Sequence, residues 1–295
     1  APVMQLGLEP ILCDSNKRDL SADLNNLEEI FKRESPSVLM FVSVLGLVPE
    51  MDKVVNLCEK YDVILLEDAC ESMGSKYRDK KLGTFGRMSS FSTFFGHHIS
   101  TIEGGFISTD DKDLYDILIS IRAHGWDRDL DTEKQIELQQ DWDVSTFNSL
   151  YTFYYQGFNV RSTDLQAYIG LSQIDKLDSW GVKREYNYLA YQELIKNNYW
   201  KPNTELNDFT SNFAYPVIHP NRDKIVEDLE RNSVEVRPMI CGSMGTQPFY
   251  VKEYGRLELP NVVEIDTYGF YVPNNPHITE DEIELVSKIV NRYTS

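Results

Sequence analysis

Two adjacent histidines are the residues of this chain whose type and position most directly suggest chemistry. His97 and His98 stand in the stretch FFGHHISTIEGGF, residues 94–106, between an aromatic run and a Glu-Gly-Gly sequence. A histidine can act as a general base near neutral pH, coordinate a metal ion, or pack in the core as a hydrogen-bonded side chain. The pair alone leaves these three interpretations open.

The neighbouring residues favour a base over a metal ligand. Adjacent side chains of an extended segment point to opposite sides, so two neighbouring histidines rarely bind the same metal ion. No HxH, HxxE or mixed His/Cys pattern stands beside them. The two following glycines allow a close backbone approach, which is typical of a loop that lines a ligand. We therefore predict no metal site here and consider a base at this loop.

Three acidic residues follow a predicted strand. The stretch VILLEDACESMG, residues 63–74, places Glu67, Asp68 and Glu71 at or just beyond the carboxyl end of that strand. Ligands of open parallel sheets bind at this end of the strands. Each acid could cap a helix or face solvent. Alternatively, a carboxylate here could face a metal or keep a heterocyclic ring nitrogen protonated.

Strand and helix patterns alternate through the first half of the chain. The continuous apolar run at 37–46 predicts a strand buried on both faces. The alternation predicts a parallel sheet with right-handed crossovers, whereas the polar stretch 129–150 predicts an irregular excursion. The candidate strands are 9–14, 37–46, 63–68, 88–95 and 104–110, and the candidate helices are 21–34 (with Ser21 as N-cap), 49–62, 112–125 and 164–198.

The second half predicts a smaller unit. From about Tyr199, short strand patterns alternate with helical ones. A chain of 295 residues, of which 41% are hydrophobic, suits one large domain and a smaller one. We predict an α/β fold with a mostly parallel sheet flanked by helices over residues 1–185, and a small C-terminal α+β domain over residues 186–295.

Composition bounds the partners and the compartment. The net charge of −18 argues against nucleic acid and against an anionic membrane surface as partners. No apolar run approaches the roughly 18 residues of a membrane span. The cysteines are Cys13, Cys58, Cys70 and Cys241, without a CxxC pair, which is typical of a reducing compartment. We predict a cytoplasmic protein.

Longer stretches of the sequence are similar to a known family. Residues 65–95 (LLEDACESMGSKYRDKKLGTFGRMSSFSTFF), 97–111 (HHISTIEGGFISTDD), 121–126 (IRAHGW) and 157–177 (GFNVRSTDLQAYIGLSQIDKL) resemble the sugar aminotransferases, which are pyridoxal-phosphate enzymes. The resemblance extends from the first residues to about Leu177 and continues more weakly to the end. It implies the aspartate-aminotransferase fold, also called fold type I.

The sequence departs from this family at one position. Members carry a lysine six residues before the glutamate of Glu-Gly-Gly, and this lysine bonds covalently to the cofactor. Counting back from Glu103 leads to His97. This replacement resembles the 3-dehydratases of deoxysugar biosynthesis, which bind pyridoxal or pyridoxamine 5'-phosphate non-covalently. The resemblance implies removal of the C3 hydroxyl from a nucleotide-linked 4-keto-6-deoxy sugar, with His97 as the catalytic base.

Two kinds of such dehydratase differ in an iron–sulfur cluster held by four cysteines. Cys70 matches the first cysteine of the cluster pattern, but the other three places hold Arg128, Leu130 and Leu138. Thiolates are needed to hold such a cluster, so we predict none. The resemblance then favours the kind that acts on GDP-4-keto-6-deoxy-D-mannose, with L-glutamate as amino donor, in the colitose pathway. The alternatives are an aminotransferase-like enzyme with another outcome and a non-catalytic dimerising remnant.

The resemblance also assigns roles to residues that match the family pattern. Asp68 would pair with the pyridine nitrogen of the cofactor, Glu71 would lie near its phenolic oxygen, and Ser92 would bind its phosphate. Asn159 would reach the cofactor phosphate of a neighbouring subunit, which implies a homodimer with shared active sites.

Other assignments concern the substrate and the chain's extent. His124 and Arg128 match positions near the sugar nucleotide, and His98 would support the loop or the dimer. Family members begin roughly a hundred residues earlier, in a part that holds a phosphate-binding loop at a helix N-terminus. We expect these 295 residues to be a fragment that binds the cofactor weakly by itself.

Overall fold

The computed structural model describes residues 2–203 and 209–294. Its α-helices are α1 (Pro2–Gln5), α2 (Leu24–Glu34), α3 (Met51–Tyr61), α4 (Lys112–Arg122), α5 (Thr132–Asp141), α6 (Thr146–Ser149), α7 (Asp164–Ile174), α8 (Leu177–Leu194), α9 (Arg222–Arg231), α10 (Pro248–Tyr254), α11 (Pro260–Tyr268) and α12 (Glu280–Asn291). Its strands are β1 (Val38–Val42), β2 (Ile64–Asp68), β3 (Lys76–Tyr77), β4 (Lys80–Lys81), β5 (Met88–Ser92), β6 (Gly105–Ser108), β7 (Ala214–Ile218), β8 (Arg237–Pro238) and β9 (Gly269–Pro273). Short 3₁₀ helices cover Val44–Gly46 and Met244–Thr246.

The N-terminal half contains a mostly parallel sheet. Its strand order is β1-β2-β5-β6, in which β1, β2 and β5 are parallel and β6 is antiparallel to β5. The register places Val42 and Ser90 on either side of Asp68. The predicted mostly parallel sheet is therefore confirmed, and Asp68 ends the middle one of its parallel strands.

Helices α2 and α3 cover one face of this sheet. Their apolar residues form a cluster with the inward residues of β1 and β2, including Phe31, Phe41, Met51, Val54 and Leu65. Burying each such side chain stabilises the fold by about 1.5–3 kcal/mol. The helical spacing of apolar residues in the sequence thus produces the faces that pack here.

The prediction of a strand buried on both faces over 37–46 is wrong. The strand ends at Val42, and Val38, Met40 and Val42 are 46%, 52% and 43% exposed. Alternate residues of a strand point to the same face. One face of β1 is therefore left partly exposed by the residues that the structure describes. After the strand, Leu45 takes a left-handed backbone with a φ of 54°.

Two further predictions near the N-terminus are wrong. Helix α2 begins after Asp23, whose carboxylate accepts the N–H groups of Asn25 and Asn26, whereas the Ser21 hydroxyl donates to Asp19. Residues 9–14 form no strand. Instead, the Asp14 carboxylate accepts the first free N–H groups of α11 and caps that distant helix.

The middle of the chain contains more helix than predicted, and one predicted long helix is divided into two. The excursion 129–150 contains α5 and α6, whose N-caps Asp131 and Ser145 each accept a backbone N–H. The predicted helix 164–198 is two helices, α7 and α8, which meet at Asp175 and Lys176. A polar stretch can therefore form helices when each one starts at a capping side chain.

The C-terminal part is a small α+β unit, as predicted. Strands β7, β9 and β8 form an antiparallel sheet in that order. A second apolar cluster joins this sheet to α8, α9 and α12, and in it the rings of Tyr191 and Tyr215 stack with centroids 5.0 Å apart. The predicted domain limit between 185 and 186 falls within α8 and stays a prediction.

Glu67 offers a direct test of how the sheet is held together. Its buried carboxylate accepts the backbone N–H groups of Gly83, Phe85 and Gly86. In Glu67→Gln, the amide NH₂ would face one of these N–H donors. We therefore expect the free energy of unfolding to fall by about 2 kcal/mol or more. Urea unfolding measures this change. The exposed Glu29 gives the control Glu29→Gln, and equal midpoints for the two variants would contradict the prediction.

Candidate active site

Two predicted site residues lie at the carboxyl ends of neighbouring parallel strands. Asp68 ends β2 and Ser92 ends β5. One carboxylate oxygen of Asp68 accepts the N–H of Cys70, and the Ser92 hydroxyl oxygen accepts the N–H of Phe94. Both side chains are only partly buried. They therefore remain accessible at the edge of the sheet where ligands of such folds bind.

His97 points one ring nitrogen at a main-chain carbonyl. Its Nδ1 lies 2.8 Å from the carbonyl oxygen of Cys70. A carbonyl oxygen can only accept, so Nδ1 carries the hydrogen and donates it. In the neutral ring, the basic lone pair is then on Nε2. The fold thus selects the tautomer of His97 in which Nε2 is the base.

The surroundings of His97 favour this neutral form. Burial is the largest cause and lowers the pKa of His97 below its usual value, and the Arg184 cation acts in the same direction. The Cys70 carbonyl and the Asp68 carboxylate oppose the shift. Since the net shift is downward, the ring is predominantly unprotonated at neutral pH and can accept a proton.

An aromatic ring from a distant segment packs on His97. The centroid of Phe213 lies 5.1 Å from that of His97 at an interplanar angle of 36°. The N–H of Phe213 donates to the carbonyl of Leu45, 2.9 Å away. Sequence reasoning missed both Phe213 and the Cys70 carbonyl. A main-chain atom has no residue-type signature, and Phe213 is far from His97 along the chain.

Glu71 is buried beside Asp68 and has an altered acidity. One carboxylate oxygen accepts the N–H of Leu45 at 2.7 Å. Burial raises the pKa of Glu71 to about 7, the negative charge of Asp68 adds to this, and the Leu45 hydrogen bond opposes it. Both protonation states of Glu71 are therefore populated at neutral pH, so its carboxyl can donate a hydrogen bond as well as accept one.

This altered acidity predicts a pH-dependent stability. The Glu71 carboxyl is neutral in both folded and unfolded protein well below its usual pKa of 4.5, but between pH 4.5 and about 7 the unfolded chain releases the proton first. Stability is thus lost as pH rises through this window. We expect Glu71→Gln to be more stable than wild type by about 3 kcal/mol at pH 8 and to have no such advantage at pH 4.5.

Urea unfolding at the two pH values measures the difference. Glu29→Gln changes an exposed carboxyl and is the matched control, for which we expect the same stability difference from wild type at both pH values. A stability gain of Glu71→Gln that is independent of pH would contradict the raised pKa.

Helix α7 holds the loop that follows the histidines. The side-chain amide of Gln173 accepts the N–H of Ser100 at 2.8 Å and donates to its carbonyl at 2.9 Å. Gln166 donates to the carbonyl of Glu103. Gly105 is required by the pairing of β5 with β6, because a Cβ at this position would lie 2.6 Å from the carbonyl oxygen of Phe91. The close approach inferred from the glycines is thus to strand β5.

The remaining predicted residues form a second group. The N–H of His124 donates to the carbonyl of Phe158, and an isolated bridge pairs Ala123 with Asn159. His124 has a left-handed φ of 66°, a strained conformation that is frequent at functional sites. The Arg128 guanidinium lies 3.8 Å from the ring centroid of Trp126 and 4.8 Å from that of Tyr151. An exposed arginine thus lies between an exposed tyrosine ring and a half-buried tryptophan ring beside His124.

Residues 2–203 and 209–294 show neither a cluster of metal-binding side chains nor a helix suited to span a membrane. They contain no group of three or more His, Cys, Asp or Glu side chains arranged to hold a metal ion. None of their helices combines the length and the apolar composition that crossing a membrane requires.

Comparison with known proteins identifies the family to which this chain belongs. A model of the DegT/DnrJ/EryC1/StrS aminotransferase family matches residues 1–291. The chain belongs to this family. A curated relative, GDP-4-keto-6-deoxy-D-mannose 3-dehydratase of Yersinia pseudotuberculosis, is 31% identical over 99% of this DegT/DnrJ/EryC1/StrS protein and 75% of its own length.

Solved structures agree with the family assignment. A mutant of GDP-4-keto-6-deoxymannose-3-dehydratase with bound GDP-perosamine matches with a TM-score of 0.89 and 31% identity, covering 98% of this chain and 76% of that one. The same enzyme with a trapped PLP-glutamate geminal diamine matches with a TM-score of 0.88 and 30% identity over the same shares. The predicted aspartate-aminotransferase-like α/β fold of the DegT/DnrJ/EryC1/StrS protein is confirmed.

Proposed function

We propose that this chain belongs to an enzyme that removes the C3 hydroxyl of a nucleotide-linked 4-keto-6-deoxy sugar, GDP-4-keto-6-deoxy-D-mannose, using pyridoxamine 5'-phosphate and L-glutamate. One observation supports this most strongly. His97 stands where the family carries its cofactor-binding lysine, and its Nδ1 is engaged by the Cys70 carbonyl. Such a residue can move a proton through Nε2 but cannot replace the lysine's covalent bond to the cofactor.

The described residues fit the cofactor. A pyridine ring with a protonated nitrogen requires an anion, and Asp68 offers a partly exposed carboxylate at the sheet edge. The Ser92 hydroxyl, one strand away, suits a phosphate oxygen. Glu71, with its pKa raised to about 7, can donate a hydrogen bond to a phenolic oxygen. We assign Asn159 to the cofactor phosphate of a partner subunit, and His124 and Arg128 to the sugar nucleotide.

Pyridoxamine phosphate, when bound, supplies an amine that condenses with the C4 ketone of the sugar and a ring that accepts electrons. His97 would act as the base through Nε2 and would hold the proton that it takes up. It would then return that proton to the C3 hydroxyl as the C–O bond of the sugar breaks, so that the hydroxyl leaves as water. Asp68 would keep the ring nitrogen of the cofactor protonated, and Glu71 would orient the ring.

Two other functions remain as alternatives to test. The family description supports an aminotransferase, and a non-catalytic remnant is the third possibility. The protein expressed from its complete gene is supplied with pyridoxal phosphate, L-glutamate and GDP-4-keto-6-deoxymannose in deuterated water, and the product is analysed by mass spectrometry. A sugar that has lost one oxygen and carries deuterium at C3 supports the dehydratase. An amino sugar supports the aminotransferase, and no turnover supports the remnant.

We propose in addition that the enzyme is a homodimer. Helix α7 contains no buried residue, and Leu165, Tyr168 and Leu171 on it are 68–74% exposed. Large apolar surfaces of this kind mark association sites. Sedimentation equilibrium tests the proposal, and Tyr168→Glu is expected to favour the monomer.

We also propose a cytoplasmic location and a role in making colitose for lipopolysaccharide O-antigen. The location is supported by the four cysteines, which are all free thiols and fit a reducing compartment. The pathway follows from the proposed product, a 3-deoxy-4-keto sugar nucleotide.

A further inference from the structure

The second histidine of the pair has surroundings unlike those of the first. His98 is 3% exposed, and its Nε2 lies 2.9 Å from the carbonyl oxygen of Ser211. Nε2 therefore donates the hydrogen bond. Burial, with the Arg184 cation as a second cause, lowers the pKa of His98 to about 3. His98 is consequently neutral at neutral pH.

The carbonyl that His98 binds belongs to a tightly bonded segment. Residues 209–213 lead into β7, and the N–H of Ser211 donates to the Ser75 hydroxyl, which donates to the carbonyl of Gly46. The side-chain amide of Asn212 and the N–H of Phe213 both donate to the carbonyl of Leu45. This segment thus joins the C-terminal sheet to the region beside Glu71.

The same segment provides the ring that packs on His97. The centroid of Phe213 lies 5.1 Å from that of His97 and 6.1 Å from that of His98. His97 has one side-chain hydrogen bond among the described residues, the one to the Cys70 carbonyl. The orientation of its imidazole therefore depends on where Phe213 is held, and the bond from His98 to Ser211 fixes the segment two residues from Phe213.

We propose that His98 is a positioning residue, which holds Phe213 against the His97 imidazole and so keeps the Nε2 lone pair of His97 oriented for proton transfer. The proposal rests on the proposed function for its catalytic consequence. Its structural consequence concerns the tautomer of His97 and can be measured in the protein without cofactor.

Two variants separate the hydrogen bond from the ring. His98→Phe keeps an aromatic ring but removes the donor, whereas His98→Gln keeps an N–H donor. His219 gives a matched control, because it is also buried and lies beyond the opposite end of β7 from Phe213. Its Nδ1 accepts the N–H of Asn221, so His219→Phe also removes a side-chain hydrogen bond of a buried histidine.

The main measurement is ¹⁵N NMR of the histidine rings, with the His97 signals identified by their loss in His97→Asn. In wild type and in His219→Phe, we expect His97 as the tautomer with hydrogen on Nδ1. In His98→Phe, we expect a mixture of tautomers, together with a fall in kcat of about ten- to a hundredfold and little change in KM. In His98→Gln, we expect recovery of the single tautomer and of most of kcat.

The proposal is overturned if folded His98→Phe keeps the wild-type tautomer and kcat, or if His219→Phe causes the same loss. Should His98→Phe fail to fold, His98→Gln decides: a single Nδ1–H tautomer supports the proposal, and a mixture overturns it. If the wild-type protein removes no oxygen from the sugar, the proposed function fails instead, and the NMR result continues to test the role of His98.

Discussion

Replacing His97 with asparagine is expected to reduce the rate of C3 dehydration by about 10²- to 10⁴-fold. Asparagine can still donate to the Cys70 carbonyl that now binds Nδ1, but its amide has no basic lone pair. The geometry of the loop is then largely kept while the base is lost. The rate of oxygen loss from the sugar, followed by mass spectrometry under saturating substrate, measures the effect.

The lysine substitution at the same position tests the reason for the exchange. In His97→Lys, we expect a covalent bond between lysine and cofactor, which survives denaturation after borohydride reduction and adds the mass of the reduced cofactor to the chain. Dehydration should be lost, because the lysine amine can displace the product from the cofactor.

An exposed histidine provides the control for both variants. His277 lies on the C-terminal part, before α12, and His277→Asn is expected to leave dehydration unchanged. If His97→Ala dehydrated the sugar at the wild-type rate, His97 would not be the base, whatever its position in the fold.

Replacing Asp68 with asparagine is the second change for which we expect a large effect, about 10²- to 10³-fold in kcat. The amide has the shape of the carboxylate but no charge, so it cannot keep a pyridine nitrogen protonated. A second consequence concerns His97. The Asp68 carboxylate opposes the net lowering of the His97 pKa. Without that charge the pKa of His97 falls further, and the acid limb of the pH–rate profile moves to lower pH.

The two consequences are measured separately. The kcat at pH 8 reports the loss of the charge at the ring nitrogen, and the pH of half-maximal kcat/KM reports the pKa of His97. Asp110→Asn changes an exposed aspartate that follows β6 and should alter neither. Full activity of Asp68→Asn, or an acid limb at higher pH, would contradict the assignment.

Local sequence determined several of these features by itself. The spacing between His97 and Glu103 can be read from the sequence alone, and the resemblance to the family, whose members carry a lysine at that spacing, identified His97 as the replacement. The alternation of strand and helix patterns predicted a parallel sheet that includes β1 and β2, because backbone hydrogen bonding leaves few ways to pack such a series. The structure adds a further strand candidate, 88–95, to this sheet as the parallel strand β5. The acids after 63–66 were likewise expected at a sheet edge.

Other features depended on residues that meet only in the folded chain. Glu67 and Asp68 are neighbours in the sequence but have different roles in the fold. The Glu67 carboxylate binds backbone N–H groups of the turn at 83–86, whereas the Asp68 carboxylate remains at the candidate site. Asp14 looked like part of a strand and instead caps α11. The carboxylates of Glu67 and Asp14 both accept hydrogen bonds from backbone N–H groups of a different segment of the chain. The periodicity of the sequence gives no information about which distant N–H groups require an acceptor.

The chemistry of the candidate base is decided in the same way. His97 is named by the sequence, but its reactive nitrogen is selected by a carbonyl of Cys70 and its orientation by Phe213. The acidity of Glu71 follows from its burial under Leu45, whose N–H it binds. Tautomer, orientation and pKa are properties of the surroundings of a side chain. Those surroundings exist only once the sheet edge and the 209–213 segment have come together.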